Sequence, residues 1–351
     1  MTQTFRQRRG AAVLIFLSVL VIVMTLLGAG LGAVRLNPDQ IIAILLNKIG
    51  IHTAVPYSTS QENILLVIRL PRVVLGLLVG AALASSGAAV QGLFRNPLAD
   101  PSLIGISSGA ALGVTLMMGL SRVVSGLDHP VIETVAAFGG AILTMLLIYR
   151  LATTAGLTNV VTMLLAGVAI NALAGAGVGL LVFLAGGVAG VQDFAFWSLG
   201  SLTRANWDSV LVMLPVTLIL LAALPFLARP LNILLLGEAE AGHLGVSVER
   251  IKQIIIVLVA LAVGTGVAAA GVIGFVALVV PHLLRLTVGP DHRYVLPGSA
   301  LAGAALLVGT DLLARTMMPP IEVPLGIITA LIGGPFFLWL LLRDRNRGTL
   351  L

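Results

Sequence analysis

The sequence predicts an all-α polytopic membrane protein: ten transmembrane helices, both termini on the cytoplasmic side, and a single membrane domain spanning 1–351. Three observations lead there. Hydrophobic residues make up 58% of the chain, charged residues only 10%, and the mean hydropathy is +1.11; soluble globular domains carry roughly 25% charged residues. Apolar runs suited to crossing a bilayer, ~17–25 residues long, recur along the whole chain. The basic residues fall in the short segments between those runs, and nearly all are arginine, with Lys48 and Lys252 the two lysines.

The expected spans are 11–34, 73–94, 102–120, 131–149, 160–185, 210–228, 253–272, 273–288, 297–314 and 323–342. Arg6, Arg8 and Arg9 precede the first as in a signal peptide. Its apolar stretch continues to Val34, well past the ~7–15 residues of a cleavable core, so it reads as a retained helix. Residues 253–288 form one long apolar stretch, which Gly271-Val272-Ile273-Gly274 divides at a tight turn.

Orientation follows from the cations. With the N-terminus inside, Arg6, Arg8, Arg9, Arg95, Arg150, Arg229, Arg250, Lys252, Arg285, Arg293, Arg343, Arg345 and Arg347 are cytoplasmic, while Arg35, Lys48, Arg69, Arg72, Arg122, Arg204 and Arg315 are outside. That is 13 against 7, and basic residues accumulate on the cytoplasmic side. The net charge of +6 is therefore a topology signal and not a nucleic-acid footprint. Trp197, Trp207, Trp339, Tyr57, Tyr149 and Tyr294 fall near span ends, where amphipathic rings favour the interface. Glycines at four-residue spacing (Gly76 and Gly80; Gly105, Gly109 and Gly113; Gly175 and Gly179) read as packing seams within one bundle, with a dimer seam as the alternative.

Chemistry carried by this chain alone is hard to find. An ion-coupled carrier keeps ionisable residues near the midplane, yet Glu133, His282, Arg285 and Asp311 all lie near span ends, leaving Asn171 as the clearest polar residue inside a span. Neither lysine sits in a P-loop, and HExxH and Gly-x-Ser-x-Gly are missing. Cysteine is absent, so thiolate metal sites are excluded. His52, His129, His243, His282 and His292 show no metal-ligand spacing and read as structural. No metal site and no cofactor is expected on this chain.

Three segments go beyond generic membrane sequence. The first is Arg69-Leu70-Pro71-Arg72 with the later Arg95-Asn96-Pro97-Leu98-Ala99-Asp100-Pro101. The second is Gly237-Glu238-Ala239-Glu240-Ala241-Gly242-His243-Leu244-Gly245. The third runs from Gly274-Phe275-Val276 through Pro281-His282-Leu283-Leu284-Arg285 and Asp291-His292-Arg293 to Leu296-Pro297-Gly298. From about 65 to 342 the chain closely resembles the permease family of type II ABC importers, which take up iron-siderophores, haem and cobalamin.

The resemblance implies an inverted internal repeat and a permease that is itself no enzyme. Its expected partners are a second permease copy, two ATPase subunits that hold ATP and Mg, and an extracytoplasmic substrate-binding protein. Arg69, Arg72 and Arg315 are the implied docking residues for that protein, since arginine grips carboxylates bidentately. The loop 229–250, with Gly237, Glu238, Ala239, Glu240, Gly242, Leu244 and Gly245, is the implied coupling element to the ATPases. Asn96, Pro97 and Leu98, with Asn159, Val160, Val161 and Thr162, correspond to the cytoplasmic gate, whose apolar members would close by dewetting. Asn171 would line the path. The expected function is import of an iron chelate (siderophore or haem) across the inner (plasma) membrane; cobalamin is the alternative cargo, and ATP-independent secondary transport the alternative class.

Overall fold

The computed structural model describes residues 3–346, apart from 33, 103–104, 122–123, 125–129, 155–156 and 320; for 3–6, 130, 157, 160–161, 185–197, 341 and 343–346 the backbone alone is described. Arg122, His129 and Arg347 thus lie outside the described residues, as do the side chains of Arg6, Val160, Val161, Trp197, Arg343 and Arg345.

The chain is almost entirely helical. The elements are α1 (Gln3–Gly30), α2 (Pro38–Lys48), α3 (Thr59–Asn63), a π-helical turn (Ile64–Arg69), α4 (Leu70–Leu93), α5 (Ile106–Ser121), α6 (Pro130–Ala152), α7 (Val160–Ser198), α8 (Trp207–Leu234), α9 (Glu238–His243), α10 (Val248–Ala270), α11 (Val276–Val288), α12 (His292–Thr316) and α13 (Leu325–Asn346). Between α6 and α7 the two-residue strands β1 (Thr153–Thr154) and β2 (Leu157–Thr158) pair antiparallel, a small departure from the all-α expectation. Among the described residues seven helices are long and apolar enough to cross a membrane. Three shorter apolar helices, Ile106–Ser121, Val276–Val288 and Leu325–Leu340, accompany them.

Helix α4 is the hub, packing on α8, α10, α11 and α12, while α5 pairs with α6 and α7. Small residues permit this closeness. A Cβ on Gly80 would strike the Gly303 carbonyl of α12, one on Gly87 the Ala277 carbonyl of α11, and one on Gly113 the Ala136 carbonyl of α6. The third glycine stripe departs from the expected seam: a Cβ on Gly175 or Gly179 would meet nothing within 4 Å. Helix α7 packs inward through Ile170, Ala174, Val178 and Val182, which turns those glycines away from the bundle.

The division within 253–288 lies where the glycines put it. Gly271 (φ 71°) ends α10, and Phe275 (φ 67°) opens α11 in the left-handed region. The span expected at 73–94 is longer than hydropathy suggested: α3, the π turn and α4 run without a break from Thr59 to Leu93. Arg69 and Arg72 are therefore interior helical residues and not loop residues ahead of a span. Similarly, α8 carries Pro215, Pro225 and Pro230 within it, so the loop expected at 229–250 shrinks to 235–247 around α9.

Candidate functional site

Two clusters of polar residues occupy opposite ends of the bundle. At the end expected to face outward, the π turn sets Arg69 toward the C-terminus of α1. Its guanidinium donates to the Ala29 carbonyl (2.9 Å), the Gly30 carbonyl (2.8 Å) and the Val34 carbonyl. A cation on the last carbonyls of a helix is favourable, and the residue is 4% exposed. Arg315 donates to the Gly28 carbonyl at the same helix end.

Arg72 lies between two carboxylates. Its Nε donates to Asp311 Oδ1 (2.8 Å) and Oδ2 (3.1 Å), while Nη1 and Nη2 grip Glu322 Oε1 (3.0 Å) and Oε2 (2.8 Å). Arg315 Nε stands 3.6 Å from the far oxygen of Asp311. Arg72 and Arg315 thus share Asp311, Arg315 and Arg69 share the end of α1, and each of the three expected docking arginines has internal partners. Sequence reasoning assigned no role to Asp311 or Glu322. The available signal was the four-residue spacing of Asp311 and Arg315 on one helix face.

At the other end α9 forms the short element expected between glycines. Gly237 (φ 118°) and Gly245 (φ 81°) hold backbone conformations that favour glycine. Ala241 is buried against the bundle, whereas Ala239, Glu240, Gly242, His243, Leu244 and Gly245 are exposed. Leu236 and Leu244, at 66% and 60% exposure, leave an apolar rim around a helix that is otherwise polar. Lys252 on α10, itself buried, reaches back to Glu238 Oε2 at 2.8 Å.

The expected gate segments lie nearby. Arg95 takes a left-handed conformation (φ 51°), and Asn96 Oδ1 accepts the Leu98 N–H at 2.9 Å, so this is a side-chain-closed turn with Pro97 exposed. Asn159 caps α7, accepting from the Thr162 N–H at 3.1 Å. One cleft lined by Phe94, Arg95, Tyr149, Thr158, Met163, Glu238 and Lys252 brings the approaches to both gate segments together with the coupling element. Asn171 is half-buried. It donates to the Ser102 carbonyl (3.0 Å) and accepts from Ser108, tying α7 to the elbow before α5. In that elbow burial pushes the Asp100 carboxyl above its ordinary range, against the pull of hydrogen bonds from Ser102.

Two of the histidines occupy packing positions, while His52 and His243 are exposed. His292 is fully buried with Nδ1 2.9 Å from Asn232 Oδ1, and His282 meets Phe336 edge-on at 5.9 Å. Among the described residues no three His, Asp or Glu side chains are grouped to hold a metal ion.

Residues 20–343 match the FecCD transport family. The chain belongs to that family. It is 44% identical to the hemin transport system permease protein HmuU of Yersinia pestis, over 95% of this chain and 96% of that one. It is 48% identical to the cobalamin import system permease protein BtuC of Halobacterium salinarum, over 80% and 73% respectively. Its fold is similar to that of a metal-chelate type ABC transporter solved in an inward-facing conformation, with a TM-score of 0.81 and 30% identity over 95% of this chain and 99% of that one. As a FecCD-family member the chain is a multi-pass membrane permease subunit of an ABC importer, and ATP hydrolysis is not its own reaction.

Proposed function

We propose that this permease imports an iron chelate, haem first among them, as one half of a pore completed by a second copy of the same chain. The observation that carries the cargo is the 44% identity to a hemin permease over nearly the whole of both chains. The 48% identity to a cobalamin permease over a shorter stretch favours cobalamin as the second reading. Ten membrane crossings with both termini cytoplasmic accommodate the seven long and three shorter apolar helices, with an inverted repeat relating the halves. The outward-turned Gly175 and Gly179 on α7 support close approach of the second copy.

Two ATPase subunits, which bind ATP and Mg, engage the cytoplasmic end. Gly237, Glu238, Ala239, Glu240, Gly242, Leu244 and Gly245 form the coupling element, whose apolar rim and exposed Glu240 give a cleft on the ATPase something to grip. When the ATPases close, α9 moves. Its link to Lys252 passes that motion to α10, and the shared cleft passes it to the gate segments Asn96, Pro97, Leu98, Asn159, Val160, Val161 and Thr162. Asn171 holds the path-lining α7 to the same region. At the other end Arg69, Arg72 and Arg315 receive acidic residues of an extracytoplasmic binding protein.

Reconstitution with the ATPase partner in liposomes tests this. The binding protein is loaded in turn with haem, a ferric siderophore and cobalamin, and uptake is followed with and without ATP. ATP-dependent uptake of haem that stops with a hydrolysis-dead ATPase is the expected result. Uptake of cobalamin alone would move the cargo to the second reading, and uptake without ATP would overturn the import mechanism.

A further inference from the structure

The two carboxylates on Arg72 are not equivalent. Asp311 projects from α12 onto the first turn of α4, at the outer end of their contact, and is 1% exposed. Glu322 stands in the irregular segment before α13, with 35% of its side chain exposed. The inner carboxylate takes the Nε side of the guanidinium, and the outer one takes the Nη1–Nη2 edge in a fork-to-fork pair. That edge is the one a carboxylate arriving from outside would need, and the chain already fills it with a carboxylate of its own.

Glu322 also borders a cavity of about 490 Å³ at this end, lined among others by Glu133, Arg204, Asn206, Ser209 and Gly271. A carboxylate released from Arg72 would therefore find a second guanidinium, that of Arg204, in the same water-accessible space. Two residues beyond Glu322 is Pro324, and then α13 begins. The Leu325 and Gly326 N–H groups donate to the Gly200 (2.9 Å) and Leu199 (2.8 Å) carbonyls, just past the end of α7.

We infer that Glu322 is an internal stand-in for the docking carboxylate of the binding protein: it holds the outer edge of Arg72 in the resting permease, yields that edge when the partner docks, and passes toward Arg204. The exchange rests on Arg72 being a docking residue. It keeps the buried guanidinium paired at every stage, which matters because an unpaired buried charge is costly. It also exchanges one carboxylate for another, so this contact adds selectivity for an acidic partner with little net affinity, and the binding protein can leave after delivery. The displaced residue is joined through Pro324 to the junction of α7 and α13.

The test is the affinity of the cognate binding protein for the permease–ATPase complex in nanodiscs. Glu322→Gln opens competition for the fork and is expected to tighten docking about three- to fivefold, the scale of one partly exposed ion pair. Glu322→Asp is expected to tighten it too, because the shorter side chain keeps the charge but loses the bidentate reach. Asp39→Asn, which removes an exposed charge from α2 at the same end, is expected to leave affinity within twofold. Arg72→Lys keeps the charge without the fork; it is expected to weaken docking and to abolish the gain from Glu322→Gln. Weakened docking by Arg72→Lys with no gain in either Glu322 variant would overturn the stand-in while docking survives. Equal gains from Asp39→Asn and Glu322→Gln would reduce the effect to net charge and overturn it as well. Docking unchanged by Arg72→Lys would mean that the docking assignment itself fails.

Discussion

Asp311→Ala is expected to be among the most damaging single changes at the outer end, and the structure sets its size. The carboxylate accepts from Arg72 Nε at 2.8 Å and 3.1 Å, lies 2.8 Å from Nη2 in the same ion pair, and stands 3.6 Å from Arg315. Its removal leaves two neighbouring guanidiniums with one carboxylate between them, and that carboxylate is partly in water. Breaking a buried pair by deleting one partner costs roughly 3–5 kcal/mol. Glu322→Ala removes the more exposed half of the same network, and a solvent-screened pair contributes about 1 kcal/mol or less. Unfolding free energies measured by denaturant titration in mixed micelles should therefore differ by roughly 2–4 kcal/mol between the two variants. Replacing both members with apolar residues, Arg72→Met with Asp311→Leu, should recover part of the loss, because the buried Arg72 charge is then gone and Arg315 alone faces Asp311's vacated place. The reasoning fails if Asp311→Ala loses less than about 1 kcal/mol, or if the two single variants lose equally.

Other expectations can be checked alongside. Glu238→Gln should leave ATP hydrolysis within about twofold while lowering cargo moved per ATP by up to about fivefold, since a partly exposed ion pair is worth about 1 kcal/mol or less; equal falls in hydrolysis and uptake would point to lost assembly instead. Gly80→Val should cost the fold at least ~1–3 kcal/mol through collision with the Gly303 carbonyl, whereas Gly175→Val should leave the monomer's melting unchanged and weaken association of two copies in cross-linking. Asn171→Ala should lose about 1–2 kcal/mol and loosen the elbow before α5, seen as faster hydrogen exchange at 102–108. The Asp100 carboxyl is raised in the folded state, so it favours folding below the ordinary carboxylate range, and that contribution fades as pH rises through its folded value. Stability should accordingly fall less in Asp100→Asn than in the parent as pH rises above the ordinary carboxylate range.

Each apolar run has a helix of its own because a bilayer demands length and hydrophobicity from every segment, and both are countable in sequence. The runs 11–34, 73–94, 102–120, 253–272, 273–288 and 323–342 overshoot α1, α4, α5, α10, α11 and α13 by one to four residues. The break at 271–274 and the bounds of α9 were legible for a different reason: glycine marks the backbone conformations that other residues avoid. Arginine misled the reading of α4. A hydropathy window ends a span at a charged residue, yet Arg69 and Arg72 lie inside the helix because α1 carbonyls and Asp311 satisfy them. The partner that explains Arg72 is 239 residues away, beyond any local pattern. Glu238 and Lys252, 14 residues apart, were both visible and were not paired, since the turn of α9 decides whether they meet. Four-residue glycine spacing likewise says that a helix face admits close approach and not which neighbour takes it, and Gly80 and Gly175 share the pattern with opposite outcomes.

The same device appears at both ends of the bundle. A buried cation on a long helix, Arg72 or Lys252, holds a carboxylate on a short surface segment, Glu322 or Glu238, and those carboxylates are 35% and 33% exposed. Each pair thus joins a part that a partner can reach to a part that it cannot. Helix α10 connects the two regions. It starts near Lys252, runs 23 residues, or about 34 Å at 1.5 Å per residue, and ends where the Ala270 carbonyl accepts the Ser201 N–H at 2.8 Å. Ser201 adjoins Gly200, whose carbonyl holds the first turn of α13, two residues after Glu322's neighbour Val323. A push on α9 and a pull on Glu322 would therefore act on opposite ends of one unbroken helix, through one ion pair at the first end and short backbone segments joined by hydrogen bonds at the other. If this linkage carries the signal, Glu322→Gln and Glu238→Gln should be non-additive in cargo moved per ATP although neither residue touches the other. Strict additivity would mean that the two ends report to the pore separately.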